Sequence, residues 1–67
     1  MYQYLVYRMK VKGISNEMIY TALGVTEKTL WNKIQGITPF TWEEVKKIKQ
    51  DFFPEESIEE LFKLESA

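Results

Sequence analysis

An all-α domain of five short helices is the fold class this chain predicts, and three observations predict it. Residues that cap helices stand ahead of apolar runs at Ser15, Thr26, Thr41 and Ser57. Glycines at positions 13, 24 and 36 stand where such runs end. Apolar side chains recur at helical spacing, whereas the one alternating run, Met1 to Val11, is too mixed in period to be placed as a strand.

Taken in order, the first helix covers about residues 2–12, with Leu5, Met9, Tyr2 and Val6 inward and Gly13 at its end. Ser15 caps a second helix over 15–22, whose inward side carries Ile19, Ala22 and Leu23. Gly24 supplies the tight or left-handed turn that other residues adopt only at a cost, and Thr26 caps a third helix running to Gln35. From Gly36 to Phe40 the chain is a loop, because Pro39 keeps Thr38 out of helical geometry. Thr41 and Glu44 form a capping box that opens a helix over 41–52, with Val45, Ile48 and Phe52 along one face and Pro54 beyond its end. A second box, Ser57 with Glu60, opens a last helix over 57–64 in which Ile58, Leu61 and Phe62 are apolar.

Size and composition narrow the functions. The 67 residues form one domain, spanning 1–67, with room for a core but hardly for a catalytic cleft. Cysteine and histidine are both absent, which removes disulfides, thiolate metal sites and the usual general base near neutral pH. The carboxylates cluster at capping positions and near the C-terminal end, and no nucleophile has a base to activate it, so no enzyme and no cofactor are expected. Nothing approaches the roughly 20 apolar residues of a membrane span, and a cytoplasmic location is expected. The net charge is −1, but it is unevenly distributed. Eight basic residues face four acidic ones over residues 1–50, while 51–67 hold one basic and six acidic residues. Such asymmetry predicts a basic binding face hidden in a neutral total.

Two helices meeting across the turn Leu23-Gly24-Val25-Thr26 form the pattern of a helix-turn-helix, which places its second helix in the major groove of DNA. The surrounding residues extend that pattern: Gly13, Ser15, Asn16, Glu17, Ile19, Thr29, Leu30, Gly36 and the closing Ser57 to Phe62. Lys33-Ile34-Gln35-Gly36 is followed by Thr38-Pro39-Phe40-Thr41. On these residues the chain resembles the Cro and phage-repressor family of helix-turn-helix proteins, and small phage-encoded members most of all, over about residues 3–62. The resemblance implies a repressor-like bundle, a double-stranded DNA partner and a homodimer on DNA, since one such domain reads only a few base pairs. It also places Asn16 at a backbone-contacting position. Two residues depart from the family pattern: Tyr20, where the crossing helices usually carry a small residue, and Trp31, where many relatives have a small polar one.

Projection of the third helix at about 100° per residue, with Leu30 and Ile34 inward, puts Lys28 and Asn32 roughly 160° and 200° from Leu30. They are the candidates to reach base edges, lysine to guanine and asparagine to adenine. Glu27 is placed to accept from cytosine, Thr29 to meet a thymine methyl or a phosphate, and Thr26 stands at the helix start. Lys33, Gln35 and Thr38 are expected to flank the groove and hold the backbone. Trp31, about 100° from Leu30, is expected to pack in the core or an interface rather than to meet a thymine, and Tyr20 and Trp42 are expected to pack. Phe52, Phe53, Phe62 and Leu64 are candidate self-contacts, with Phe52 and Phe62 also suited to closing the core. The alternative function is a protein-interaction module, an antirepressor or adaptor, that keeps the fold without binding DNA.

Overall fold

The computed structural model describes residues 1–64. Five helices follow one another, α1 (Gln3–Lys12), α2 (Asn16–Leu23), α3 (Glu27–Gln35), α4 (Trp42–Phe52) and α5 (Ile58–Leu61), and no strand occurs among the described residues. Each of the last four starts on the hydroxyl residue that the sequence offers. The side-chain oxygens of Ser15, Thr26, Thr41 and Ser57 accept from the backbone N–H three residues on, at 3.1 to 3.2 Å. Such a cap is worth about 1 kcal/mol. At Thr41 the box is complete, because the Glu44 carboxylate accepts from the Thr41 N–H at 2.9 Å. For Ser57 the described bonds include only the serine's own arm.

Gly24 has φ 71°, a left-handed conformation that favours glycine. Its N–H donates to the Thr21 carbonyl and the Val25 N–H to the Tyr20 carbonyl, so two carbonyls at the end of α2 are satisfied as the chain reverses. The same pair of bonds closes α1 at Gly13 and α3 at Gly36. Three helices therefore stop by one device.

α1 begins one residue later than the sequence predicts. Tyr2 precedes it without a side-chain cap, and its N–H donates instead to the Ile34 carbonyl at 3.0 Å, tying the chain entry to the last turn of α3. α5 is the larger departure, since it ends at Leu61 and leaves Leu64 exposed beyond it. Glu65, counted with the acidic segment, lies outside the described residues.

Leu5, Met9, Ile19, Leu30, Ile34, Ile48, Phe53 and Leu61 form the core, drawn from every helix and from the α4–α5 connection. Ala22, Leu23 and Val6 are half-buried around it. Phe53, not Phe52, is the fully buried aromatic (0% exposed), which removes it from the candidate self-contacts. The reason lies in the next residue. A residue before proline is pushed away from helical geometry, so α4 stops at Phe52, and Phe53, with φ −136° and ψ 55°, turns out of the helix and directs its ring inward. Phe52 and Phe62 are half-buried against the core. Tyr2, Phe40 and Phe62 meet edge to face, with centroids 5.3 to 5.9 Å apart, and close one end of the bundle.

Tyr20 packs half-buried against the core as expected, whereas the two tryptophans are exposed, which removes Trp42 from the core and leaves Trp31 only the interface role. Trp42 opens α4 facing outward at 60% exposed, with the Lys46 ammonium 5.8 Å from its ring centroid. Trp31 is 51% exposed on α3. No helix among the described residues is long and apolar enough to cross a membrane.

Candidate nucleic-acid interface

The caps and glycine stops leave α3 with two chemically different sides. Leu30, Ile34 and Lys33 are buried; Glu27, Lys28 and Trp31 are exposed; Thr29, Asn32 and Gln35 lie between. Lys28 and Asn32 share the side away from the core, as their projection predicts. Neither side chain makes a hydrogen bond or an ion pair among the described residues, so the fold does not consume their polar groups.

Around this strip the other candidate residues take distinct positions. Asn16 is exposed at the first position of α2, and Thr26 is exposed at the start of α3. The Thr26 hydroxyl is occupied locally, accepting from the Thr29 N–H and lying 2.9 Å from the Thr29 hydroxyl. Gln35 sends its amide toward the Met1 sulfur at 4.0 Å, a weak contact that leaves it available to another partner. Thr38 is exposed in the loop after α3, and its N–H, with that of Ile37, reaches the Asn32 carbonyl at 3.4 and 2.9 Å. Asn32 thus anchors the loop through its backbone while its side chain stays outside.

Lys33 is the correction among the candidates. It was expected to flank the groove, but it is only 9% exposed and turns toward α4. Its ammonium donates to Glu44 Oε1 at 2.8 Å and to the Pro39 carbonyl at 3.1 Å, and lies 6.0 Å from the Phe40 ring centroid. The cause is legible in retrospect. Position 33 projects about 60° from Leu30, on the inward flank, and the Thr41 capping box fixes a carboxylate within reach of it. Burial alone would raise the Glu44 carboxyl. The Lys33 ammonium and the Thr41 N–H together more than offset it, and the group lies below the ordinary carboxylate value.

The expected basic face is likewise altered by folding. α1 carries three of the basic residues, and the acidic segment folds back onto two of them. Lys12 reaches Glu55 at 2.7 Å and the Phe52 carbonyl at 2.7 Å. Arg8 Nε lies 2.8 Å from Glu56 Oε2, close enough for charge attraction although its N–H is not aimed at the oxygen. The Tyr4 hydroxyl donates to the other oxygen of Glu56 at 2.9 Å, and that bond to a carboxylate pushes the phenol upward in pKa. Lys47 pairs with Asp51 and Lys46 with Glu43. Charge asymmetry along the sequence becomes charge pairing in space, and Lys28, on the outer side of α3, has no ion-pair partner among the described residues.

Among the described residues no cluster of acidic side chains could hold a metal ion, and no pocket opens in the surface. No family model, curated protein or solved structure compared with the chain matches it.

Proposed function

We propose that the domain is a sequence-specific DNA-binding transcriptional regulator of the phage-repressor or Cro type, with α2 and α3 as its helix-turn-helix and α3 as the helix that enters the major groove. The observation that carries this reading is the outer strip of α3. The side chains of Lys28 and Asn32 are polar, lie on the side away from Leu30 and make no hydrogen bond or ion pair among the described residues, on a nine-residue helix whose start is capped and whose end is fixed. Their chemistry matches base edges in the major groove, Lys28 donating to guanine O6 and N7 and Asn32 pairing with adenine. Glu27 is placed for cytosine and Thr29 for a thymine methyl. In this reading Asn16, Thr26, Gln35 and Thr38 contact the sugar-phosphate backbone, which fixes register without reading sequence. A homodimer on two half-sites completes the reading, because one α3 spans too few base pairs for specificity.

Selection of tight binders from random duplexes, followed by binding of Lys28→Ala, tests it. The selected sequences should share a short motif, and the variant should lose discrimination at one position of it, about 1 to 3 kcal/mol for a good base contact. Failure of selection to enrich any motif sinks the assignment.

Trp31 favours a second reading. A tryptophan half-exposed on the flank of α3 is the type of side chain that anchors protein interfaces, and in this reading the domain is an antirepressor or adaptor that docks through it. A Trp31→Ala variant that loses a protein complex while DNA affinity is unaltered would favour this reading over the first.

A further inference from the structure

We propose that Lys33 is a positioning residue, one that sets the loop beside α3 against α4 and makes no phosphate contact of its own; this rests on the DNA-binding reading of α3. One carboxylate oxygen, Glu44 Oε1, receives both the Lys33 ammonium at 2.8 Å and the Thr41 N–H at 2.9 Å. The same ammonium holds the Pro39 carbonyl at 3.1 Å. α3, the loop and the cap of α4 therefore converge on one ion pair. From the other side, the Asn32 carbonyl holds the N–H groups of Ile37 and Thr38. The segment that carries Thr38 beside the outer strip is fixed at both of its faces, and Lys33 supplies one of the two attachments.

A lysine has three donors, and here a carboxylate and a carbonyl already take two of them. To reach a phosphate, Lys33 would abandon both partners and leave Glu44 half-buried in the first turn of α4 without its cation. Held as it is, it displaces no counterion from DNA and adds nothing to the salt dependence of binding.

Lys33→Met, Glu44→Gln and their combination separate the two roles. Methionine keeps an apolar stem in place of the lysine chain, and glutamine keeps an oxygen for the Thr41 N–H. The variants are compared with the wild-type chain where circular dichroism shows all to be folded, in duplex binding across salt and in hydrogen exchange of the free protein. Both single variants should weaken binding to every duplex by a common factor, and the double variant should be no weaker than either. The salt slope should stay at the wild-type value, and the amides of Ile37, Thr38 and Thr41 should exchange faster.

Glu44→Gln carries the test alone if Lys33→Met does not fold, since it removes the countercharge of Lys33 and leaves the charge of Lys33 intact. A phosphate-contacting lysine would then bind DNA as tightly or more tightly, which overturns the proposal. So would a slope shallower by about 0.9 in Lys33→Met, or unchanged exchange of the loop amides. Absence of binding by the wild-type chain would overturn the DNA reading alone, and the exchange rates, which need no DNA, would still decide whether the pair holds the loop.

Discussion

Lys28 and Lys33 stand five residues apart on one nine-residue helix and meet opposite fates. Lys28 stands on the outer side with no partner among the described residues, whereas Lys33 is drawn inward by a carboxylate that a helix cap has already fixed. The difference teaches that charge on a helix gains its meaning from the neighbouring element. A basic residue on the outer strip is free for a partner molecule, and one on the inner flank becomes part of the scaffold.

The sharpest break of that comparison is Leu30→Ala, which truncates the fully buried centre of the inner side. It should cost about 2 to 5 kcal/mol, enough to unfold much of so small a domain, seen as loss of the helical circular dichroism signal on mild heating. Lys28→Ala, two positions earlier, should move the urea midpoint by no more than about 0.5 kcal/mol equivalent. Equal effects would mean that the two sides of α3 are not distinct.

Glu44→Ala comes next, since it removes the acceptor of both Lys33 and the Thr41 N–H; a loss of about 1 to 3 kcal/mol at neutral pH is expected in urea unfolding. Because the Glu44 carboxyl lies below its ordinary value in the folded state, its contribution is complete above the unfolded carboxylate pKa and is lost as pH falls through the folded one. The stability gap between wild type and Glu44→Gln should therefore narrow between about pH 5 and pH 3. A constant gap would show that the ion pair contributes little. Smallest is Thr26→Ala, which removes the cap at the start of α3 and should cost about 1 kcal/mol in the same assay.

Caps and stops were legible because they depend on local chemistry alone. Ser15, Thr26, Thr41 and Ser57 start helices where they stand, and Gly13, Gly24 and Gly36 end them. The outer strip was legible too, since projection of α3 from Leu30 and Ile34 needs only the helical period. What depended on tertiary placement was harder to read. Phe53, not Phe52, fills the core because Pro54 turns the residue before it out of helical geometry, an effect the proline itself signals. α5 ends at Leu61, three residues before Leu64. Lys33 and the basic residues of α1 found carboxylates 11 to 48 positions away, which no local pattern encodes.

Charge pairing also sets what DNA binding should look like. With Arg8, Lys12, Lys33, Lys46 and Lys47 each within an ion pair, Lys10, Lys28, Lys49 and Lys63 are the basic residues outside such pairs among the described residues. The salt slope per monomer should be shallow, about −1 to −3.

The most direct test of the DNA reading is binding of the chain to random-sequence duplex at about 50 mM and 200 mM salt, with NMR shift mapping of the bound protein. Affinity should fall by that shallow slope, and shifts should centre on Asn16 and on Thr26 to Asn32, sparing the Lys33 ammonium. A folded protein that binds no duplex at either salt would contradict the account.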